Sequence, residues 1–204
     1  MREPSNQQSP GPDTLQVSAA IFIDRDGTIN EDFGYISKPD DLIIYPWVAD
    51  AVRLINQAGF QTIVVTNQSG VARGIYTEDD LRLIHARMIS ELQKQSARID
   101  GVYYCPHHPD YGDKQYRMEC ECRKPRPGML RAAAREHNID LARSFVIGDK
   151  ASDINLAASV GARGVLVLTG YGNETLAHPD RWPCEPGMVA DDLLCAIRLI
   201  LDDR

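Results

Sequence analysis

A chain of 204 residues, 43% hydrophobic and 25% charged, is long enough for one sizeable core and too apolar to be generally disordered. Its net charge of −7 excludes the broad basic face that nucleic acid or an anionic membrane needs, so an anionic ligand has to be met by local cations or a metal. No apolar stretch approaches the ~18 residues of a membrane span, and the polar N-terminus lacks the apolar core of a secretory signal, which predicts a cytoplasmic protein with neither nucleic-acid nor membrane partners.

Residues 1–17 are rich in Ser, Pro and Gln and poor in apolar side chains, which predicts a disordered extension and leaves 18–204 as a single domain. Ile21 to Asp24 reads as a first strand. Ala49 to Ala58 has the apolar spacing of a helix closed by Gly59, and Gln61 to Thr66 forms a second strand ending at Asn67-Gln68-Ser69-Gly70. A strand, helix, strand unit of this length makes a parallel pair with a right-handed crossover. Thr77 caps an amphipathic helix through about Gln95, with Leu81, Ile84, Met88 and Leu92 on one face, and Gly101 to Tyr104 is a third strand.

From Cys105 to Pro127 the chain is polar and aperiodic, and loops of that length are usually functional. Alternation resumes with a helix from Gly128 to His137, a strand from Ser144 to Ile147, a helix from Ala151 to Val160 and a strand from Gly164 to Leu168. A last helix runs from about Asp191 to Leu201. The pattern predicts an α/β fold with a doubly wound, mostly parallel, Rossmann-like sheet.

The strand ends carry the chemistry. Asp24 and Asp26 follow the apolar run Ala20 to Ile23, Thr66 and Asn67 close the second strand, Gly148 and Asp149 close the fourth, and Lys124 lies in the loop that begins where the third stops. Ligand crevices in open α/β sheets form at such carboxyl ends. Two acids so close ask for a divalent cation or a shared proton, although a turn or cap role would explain the pair equally well if it stood alone.

The long loop holds Cys105-Pro106-His107 and Cys120-Glu121-Cys122, a donor set matching a closed tetrahedral Zn2+ site of the Cys3His type. The spacings are tighter than the common C-x2-C. A disulfide or isolated buried thiols compete with zinc, against a reducing cytosol and a loop full of charges respectively. On ligand chemistry His108 is as eligible as His107. Cys184 and Cys195 read as ordinary thiols. With no position left for water, the zinc would be structural, fixing the pose of Arg123 and Lys124 at the end of a loop spanning 105–124.

Taken together, Asp24-Arg25-Asp26-Gly27-Thr28, Thr66, Lys124 and Gly148-Asp149-Lys150-Ala151-Ser152-Asp153 resemble the ordered motifs of the haloacid dehalogenase superfamily of phosphotransferases. The resemblance implies that Asp24 forms an aspartyl-phosphate and that Asp26 moves the proton. It also implies Mg2+ held by Asp24, the Asp26 main-chain carbonyl and Asp149, with Thr66 and Lys124 on the phosphoryl oxygens. The segments after Asp26 and after Gly70 are too short for a large cap domain, so a capless, open crevice is expected.

Three further segments, Thr66 to Gly74, Tyr103 to Pro109 and Cys120 to Pro125, resemble the histidinol-phosphatase-like subfamily and, within it, phosphatases that take the C7 phosphate from a heptose 1,7-bisphosphate. That likeness implies His107 as the zinc ligand, Arg123 on the distal phosphate, and Asp32, Tyr35, Asn67, Gln68 and Ser69 around the sugar, with Lys150 beside Asp149. It implies a small sugar bisphosphate as substrate, and the chain is expected to act as a monomer. Histidinol phosphate is the rival substrate, and a zinc-organised interaction module on a catalytically dead fold is the rival of another class. Arg73 receives no role.

Overall fold

The computed structural model describes residues 17–203, so the extension expected over 1–17 lies, apart from Val17, outside the described residues. Among the described residues the sheet has six strands: β1 (Ala20–Ile23), β2 (Gln61–Asn67), β3 (Gly101–Cys105), β4 (Phe145–Gly148), β5 (Arg163–Val167) and β6 (Met188–Ala190). Their spatial order is β3-β2-β1-β4-β5-β6, and every pairing is parallel. The expected sheet is therefore parallel throughout rather than mostly so.

Helices cover both faces, as a parallel sheet requires. They are α1 (Val48–Gln57), α2 (Glu78–Lys94), α3 (Gly128–His137), α4 (Ala151–Ala158), α5 (Gly172–Ala177) and α6 (Leu193–Asp202). β1 is buried along its whole length because its alternate residues feed two cores. Ile21 and Ile23 pack with Val52, Ile55, Met88 and Ile197, while Ala20 and Phe22 pack with Ile63, Leu130, Ala133 and Leu156 on the opposite face. Burying each such side chain contributes about 1.5–3 kcal/mol.

Local signals set the ends of the elements. Thr77 and Asp80 close a capping box at the start of α2, each side chain meeting the other's backbone N–H, and Asn138 ends α3 in the left-handed region at φ 53°. α5 and β6 were not anticipated. Both are too short to show a period, and β6 is held by its pairing with β5. Residues 27–47 form a loop with one 3-10 turn at Pro39–Asp41, and α2 occupies most of 70–100, so neither segment carries an inserted domain among the described residues.

Successive crossovers run from β1 to β2 to β3 in one direction and return to β4 on the other side of β1. The order reverses between β1 and β4, and their carboxyl ends open the crevice there.

Candidate active site

The ladder between β1 and β4 continues one residue past the strand, with Asp24 N donating to Ile147 O at 2.9 Å, and so fixes the backbone that carries Asp24. Asp24 Oδ1 accepts from the Arg25 backbone N–H at 2.7 Å and from Lys124 Nζ at 2.8 Å. Among the described residues no donor reaches Oδ2. Lys124 is buried and also meets Asp153 Oδ1 at 2.7 Å and the Val65 carbonyl at 3.1 Å. Burial works against its charge, but Asp153 and Asp24 outweigh that and hold its basicity above the ordinary value.

Asp24, Asp149 and Asp153 bring carboxylate oxygens within 4.8 Å of one another at the crevice floor. Asp149 is fully buried. Its Oδ2 accepts from Tyr171 N at 2.8 Å, and its Oδ1 has no hydrogen-bond partner. Burial, reinforced by Asp24 and Asp153 and opposed by Lys150, lifts Asp149 to about 7. Gly27 (φ +85°) and Gly170 (φ +54°) press on this carboxylate, and a Cβ at either position would overlap it.

Asp26 stands apart from that cluster. Its carboxylate takes two bonds from Arg25 Nη2 (2.7 and 2.9 Å) and one from Arg25 Nε (2.9 Å), with Asn30 Nδ2 at 3.1 Å and Gln68 Nε2 at 2.7 Å. Burial pushes its pKa up, but the Arg25 charge and these hydrogen bonds leave it below the usual carboxylate range. Arg25 is itself buried, with Nη1 3.3 Å from His85 Nε2. Gln68 also donates to Thr66 Oγ1 at 2.8 Å and accepts from Tyr76 OH at 2.6 Å, which ties the acid to the end of β2.

The thiols and imidazole of the long loop converge. Cys105 Sγ is 3.5 Å from Cys120 Sγ and 3.1 Å from Cys122 Sγ, which is 3.3 Å from Cys120 Sγ and 3.2 Å from His107 Nδ1. These separations are close to the edges of a tetrahedron with metal–ligand bonds of about 2.0–2.3 Å. Hydrogen bonding from Cys105, against burial and with help from Cys120 and His107, brings the Cys122 thiol down to about 5, so a thiolate ligand is within reach there. His108 is turned elsewhere: its Nδ1 accepts from Asp110 N at 3.1 Å. Glu78 anchors the loop to α2, accepting from Tyr116 OH at 2.9 Å and from Tyr104 OH at 2.5 Å.

The residues expected around the sugar divide. Asp32 faces the crevice beside Lys150, whose Nζ lies 3.0 Å from Asp32 Oδ2 and 3.7 Å from Asp149 Oδ2. Tyr35 is exposed at the rim, Ser69 is half-buried, and Arg123 Nη1 donates to the His107 carbonyl at 3.1 Å. The Asn67 and Gln68 side-chain amides bond to protein groups, Asn67 to the Lys124 backbone and Gln68 to Asp26, Thr66 and Tyr76. Two contributors were missed. Asp153 was visible as the last residue of Gly148-Asp149-Lys150-Ala151-Ser152-Asp153, whereas a buried Arg25 carries no sequence signal beyond its place behind an apolar strand.

Comparison with known proteins follows the same lines. A family model described as HAD-hydrolase-like matches residues 121–196. The D-glycero-beta-D-manno-heptose-1,7-bisphosphate 7-phosphatase of Photorhabdus laumondii is 46% identical over 161 residues, 78% of this chain and 85% of that protein. The D-glycero-D-manno-heptose-1,7-bisphosphate 7-phosphatase of Thermosynechococcus vestitus is 42% identical over 186 residues, 89% and 94% of the two chains. The crystal structure of D,D-heptose 1,7-bisphosphate phosphatase from B. bronchiseptica, complexed with magnesium and phosphate, superimposes with a TM-score of 0.81 at 36% identity, covering 91% of this chain and 99% of that one.

Proposed function

This chain belongs to the heptose-1,7-bisphosphate 7-phosphatase family of haloacid-dehalogenase-like hydrolases, and from that premise we propose that it removes the C7 phosphate of D-glycero-D-manno-heptose 1,7-bisphosphate through an aspartyl-phosphate on Asp24. The observation that carries the reading is the floor of the crevice, where Asp24 shares the buried Lys124 ammonium with Asp153 and lies within ligand distance of Asp149.

Asp24 Oδ2 attacks phosphorus as the bond from phosphorus to the C7 oxygen breaks, and Asp26 gives its proton to the departing oxygen. A water oxygen then attacks the same phosphorus while Asp26 takes a proton from that water, replacing the one that left on the C7 hydroxyl. The bond to Asp24 breaks, and inorganic phosphate leaves with the carboxylate restored. The Arg25 ion pair favours the ionised form of Asp26, the form that accepts the proton of water, so Asp26 has to take up a proton against that pair before the first half-reaction. Lys124 Nζ and Thr66 Oγ1 would meet the phosphoryl oxygens where negative charge gathers in the transition state.

The donor set fits Mg2+: hard oxygens only, including the buried Asp149 Oδ1 that lacks any protein partner. Asp24, Asp149 and the Asp26 main-chain carbonyl would hold the ion, since both Asp153 oxygens are engaged, Oδ1 by Lys124 and Oδ2 by Lys150 N at 3.2 Å, whereas Asp24 and Asp149 each keep one oxygen without a partner. When bound, Mg2+ screens the repulsion between the carboxylate and the phosphate dianion. Zn2+ fits Cys105, His107, Cys120 and Cys122, four protein ligands that leave no place for water, so its contribution is to hold the loop.

Arg123 would take the distal phosphate, and Asp32, Tyr35, Ser69 and Lys150 would face the sugar. We take residues 18–204, with the loop 105–124, as a single domain that acts as a monomer. No helix among the described residues is long and apolar enough to cross a membrane, and the free cysteines suit the cytoplasm.

Phosphate release with Mg2+ tests the reading. The heptose bisphosphate should be hydrolysed with far higher kcat/KM than histidinol phosphate or fructose 1,6-bisphosphate. Preference for histidinol phosphate would overturn the substrate, and no release from any of them would favour a binding module.

A further inference from the structure

Arg73 is a cation at the rim for which the chemistry above has no use. Its backbone N–H donates to the Ser69 carbonyl at 3.0 Å, closing the turn after β2, and its side chain is exposed. The chain has 29 acidic and 22 basic residues, yet among the described residues no carboxylate pairs with Arg73.

Two aromatic rings hold it instead. The guanidinium carbon lies 3.6 Å from the Tyr111 ring centroid and 5.9 Å from that of Tyr35. The three residues belong to three different loops: Tyr35 follows Asp24 and Asp26, Arg73 follows β2, and Tyr111 is in the zinc loop. Stacking on a ring face orients a guanidinium through its π surface and leaves its five in-plane N–H donors unused. A pre-oriented fork with unused donors suits the oxygens of a phosphate dianion.

Arg123 is tied to the same piece of chain. Its Nη1 donates to the His107 carbonyl at 3.1 Å, His108 follows, and the His108 and Tyr111 rings pack in a T-shaped pair with centroids 4.7 Å apart, with Arg73 over the same Tyr111 ring. The stretch from His107 to Tyr111 therefore supports two guanidiniums, and among the described residues neither has a carboxylate partner. A seven-carbon sugar phosphorylated at both ends carries its second dianion a sugar's length from the first, at the rim of the crevice when the first is on the floor.

We propose that Arg73 is a specificity-determining residue, forming with Arg123 a two-guanidinium clamp on the phosphate that is not transferred, with Tyr111 and Tyr35 setting its plane. The proposal deepens the bisphosphatase reading and rests on it. In a capless enzyme such remote binding has to come from loops, and this clamp draws on three of them.

The test compares kcat/KM for D-glycero-D-manno-heptose 1,7-bisphosphate with that for the 7-monophosphate, in wild type, Arg73→Gln, Arg73→Lys, Tyr111→Ala and Tyr111→Phe, each loaded with zinc and assayed with Mg2+. Arg73→Gln should lower the bisphosphate-to-monophosphate ratio about tenfold or more, mainly through KM for the bisphosphate, as the loss of a charged fork predicts. Arg73→Lys keeps the charge without the fork and should fall between. Tyr111→Ala should lower the ratio, and Tyr111→Phe, which keeps the ring, should retain the wild-type ratio. If wild type prefers the bisphosphate and Arg73→Gln leaves the ratio unchanged, or weakens both substrates equally, the clamp is overturned and the bisphosphatase reading stands. If wild type has no preference for the bisphosphate, the functional reading fails first and takes the clamp with it.

Discussion

The side-chain amide of Asn67 closes a ring with the backbone of Lys124, its Oδ1 accepting from Lys124 N at 3.0 Å and its Nδ2 donating to Lys124 O at 3.3 Å. The last residue of β2 thereby fixes where the long loop re-enters the crevice, and with it the ammonium that meets Asp24.

Asn67→Ala should leave Lys124 present but loosely placed. Two neutral hydrogen bonds are worth about 1–2 kcal/mol together, so a fall of about tenfold in kcat is expected if the loss is felt in the transition state. Steady-state kinetics and zinc analysis check this, with the zinc content unchanged.

Asp153→Asn should destabilise the fold as well as slow the reaction. Lys124 and Asp153 are both buried and 2.7 Å apart, and removing one partner of a buried ion pair costs about 3–5 kcal/mol. Because Asp24 continues to face Lys124, the lower end of that range is expected, read as a shift in the urea unfolding midpoint.

Removing the loop's metal should act at a distance. Cys120→Ser takes one donor from a four-donor set, so bound zinc should drop, the thermal midpoint should fall, and activity should decline with Arg123 and Lys124 no longer held. Metal analysis by mass spectrometry beside a thermal melt measures both, and full zinc occupancy in the variant would contradict the site.

His85 should make the protein acid-sensitive. Burial, then the charge of Arg25, bring it down to about 3 from an ordinary 6.5, while Asp26 opposes them. The folded state therefore keeps the ring neutral while the unfolded chain takes up a proton below about 6.5. Stability is unaffected above that pH and falls at up to about 1.4 kcal/mol per unit as the pH drops from there towards 3. Urea unfolding at several pH values should show this slope flattened in His85→Gln.

Much of this arrangement was legible in the sequence. β1, β2 and β4 show as apolar runs because parallel strands bury both faces, and α3 was read at its observed limits of Gly128 and His137. Asp24, Lys124 and Asp149 could be grouped because each follows a strand end or a recognisable motif, and Cys105, His107, Cys120 and Cys122, which the structure brings together, stood out by residue type. The amides could not be assigned. A sequence does not tell an Asn67 or Gln68 aimed at a ligand from one satisfying a neighbouring backbone or acid, and the bonds of Asn67 to Lys124 and of Gln68 to Asp26 appear only in the structure. Arg25 eluded the reading for a related reason: nothing in the chain marks a buried arginine whose partners are the half-buried Asp26 and the buried His85.

Acid quenching during turnover of the heptose bisphosphate, followed by peptide mapping of the phosphoenzyme, bears most directly on the central claim. Phosphate on Asp24, absent in Asp24→Asn together with turnover, is the expected result. Phosphate on any other side chain, or steady-state turnover surviving in Asp24→Asn, would contradict it.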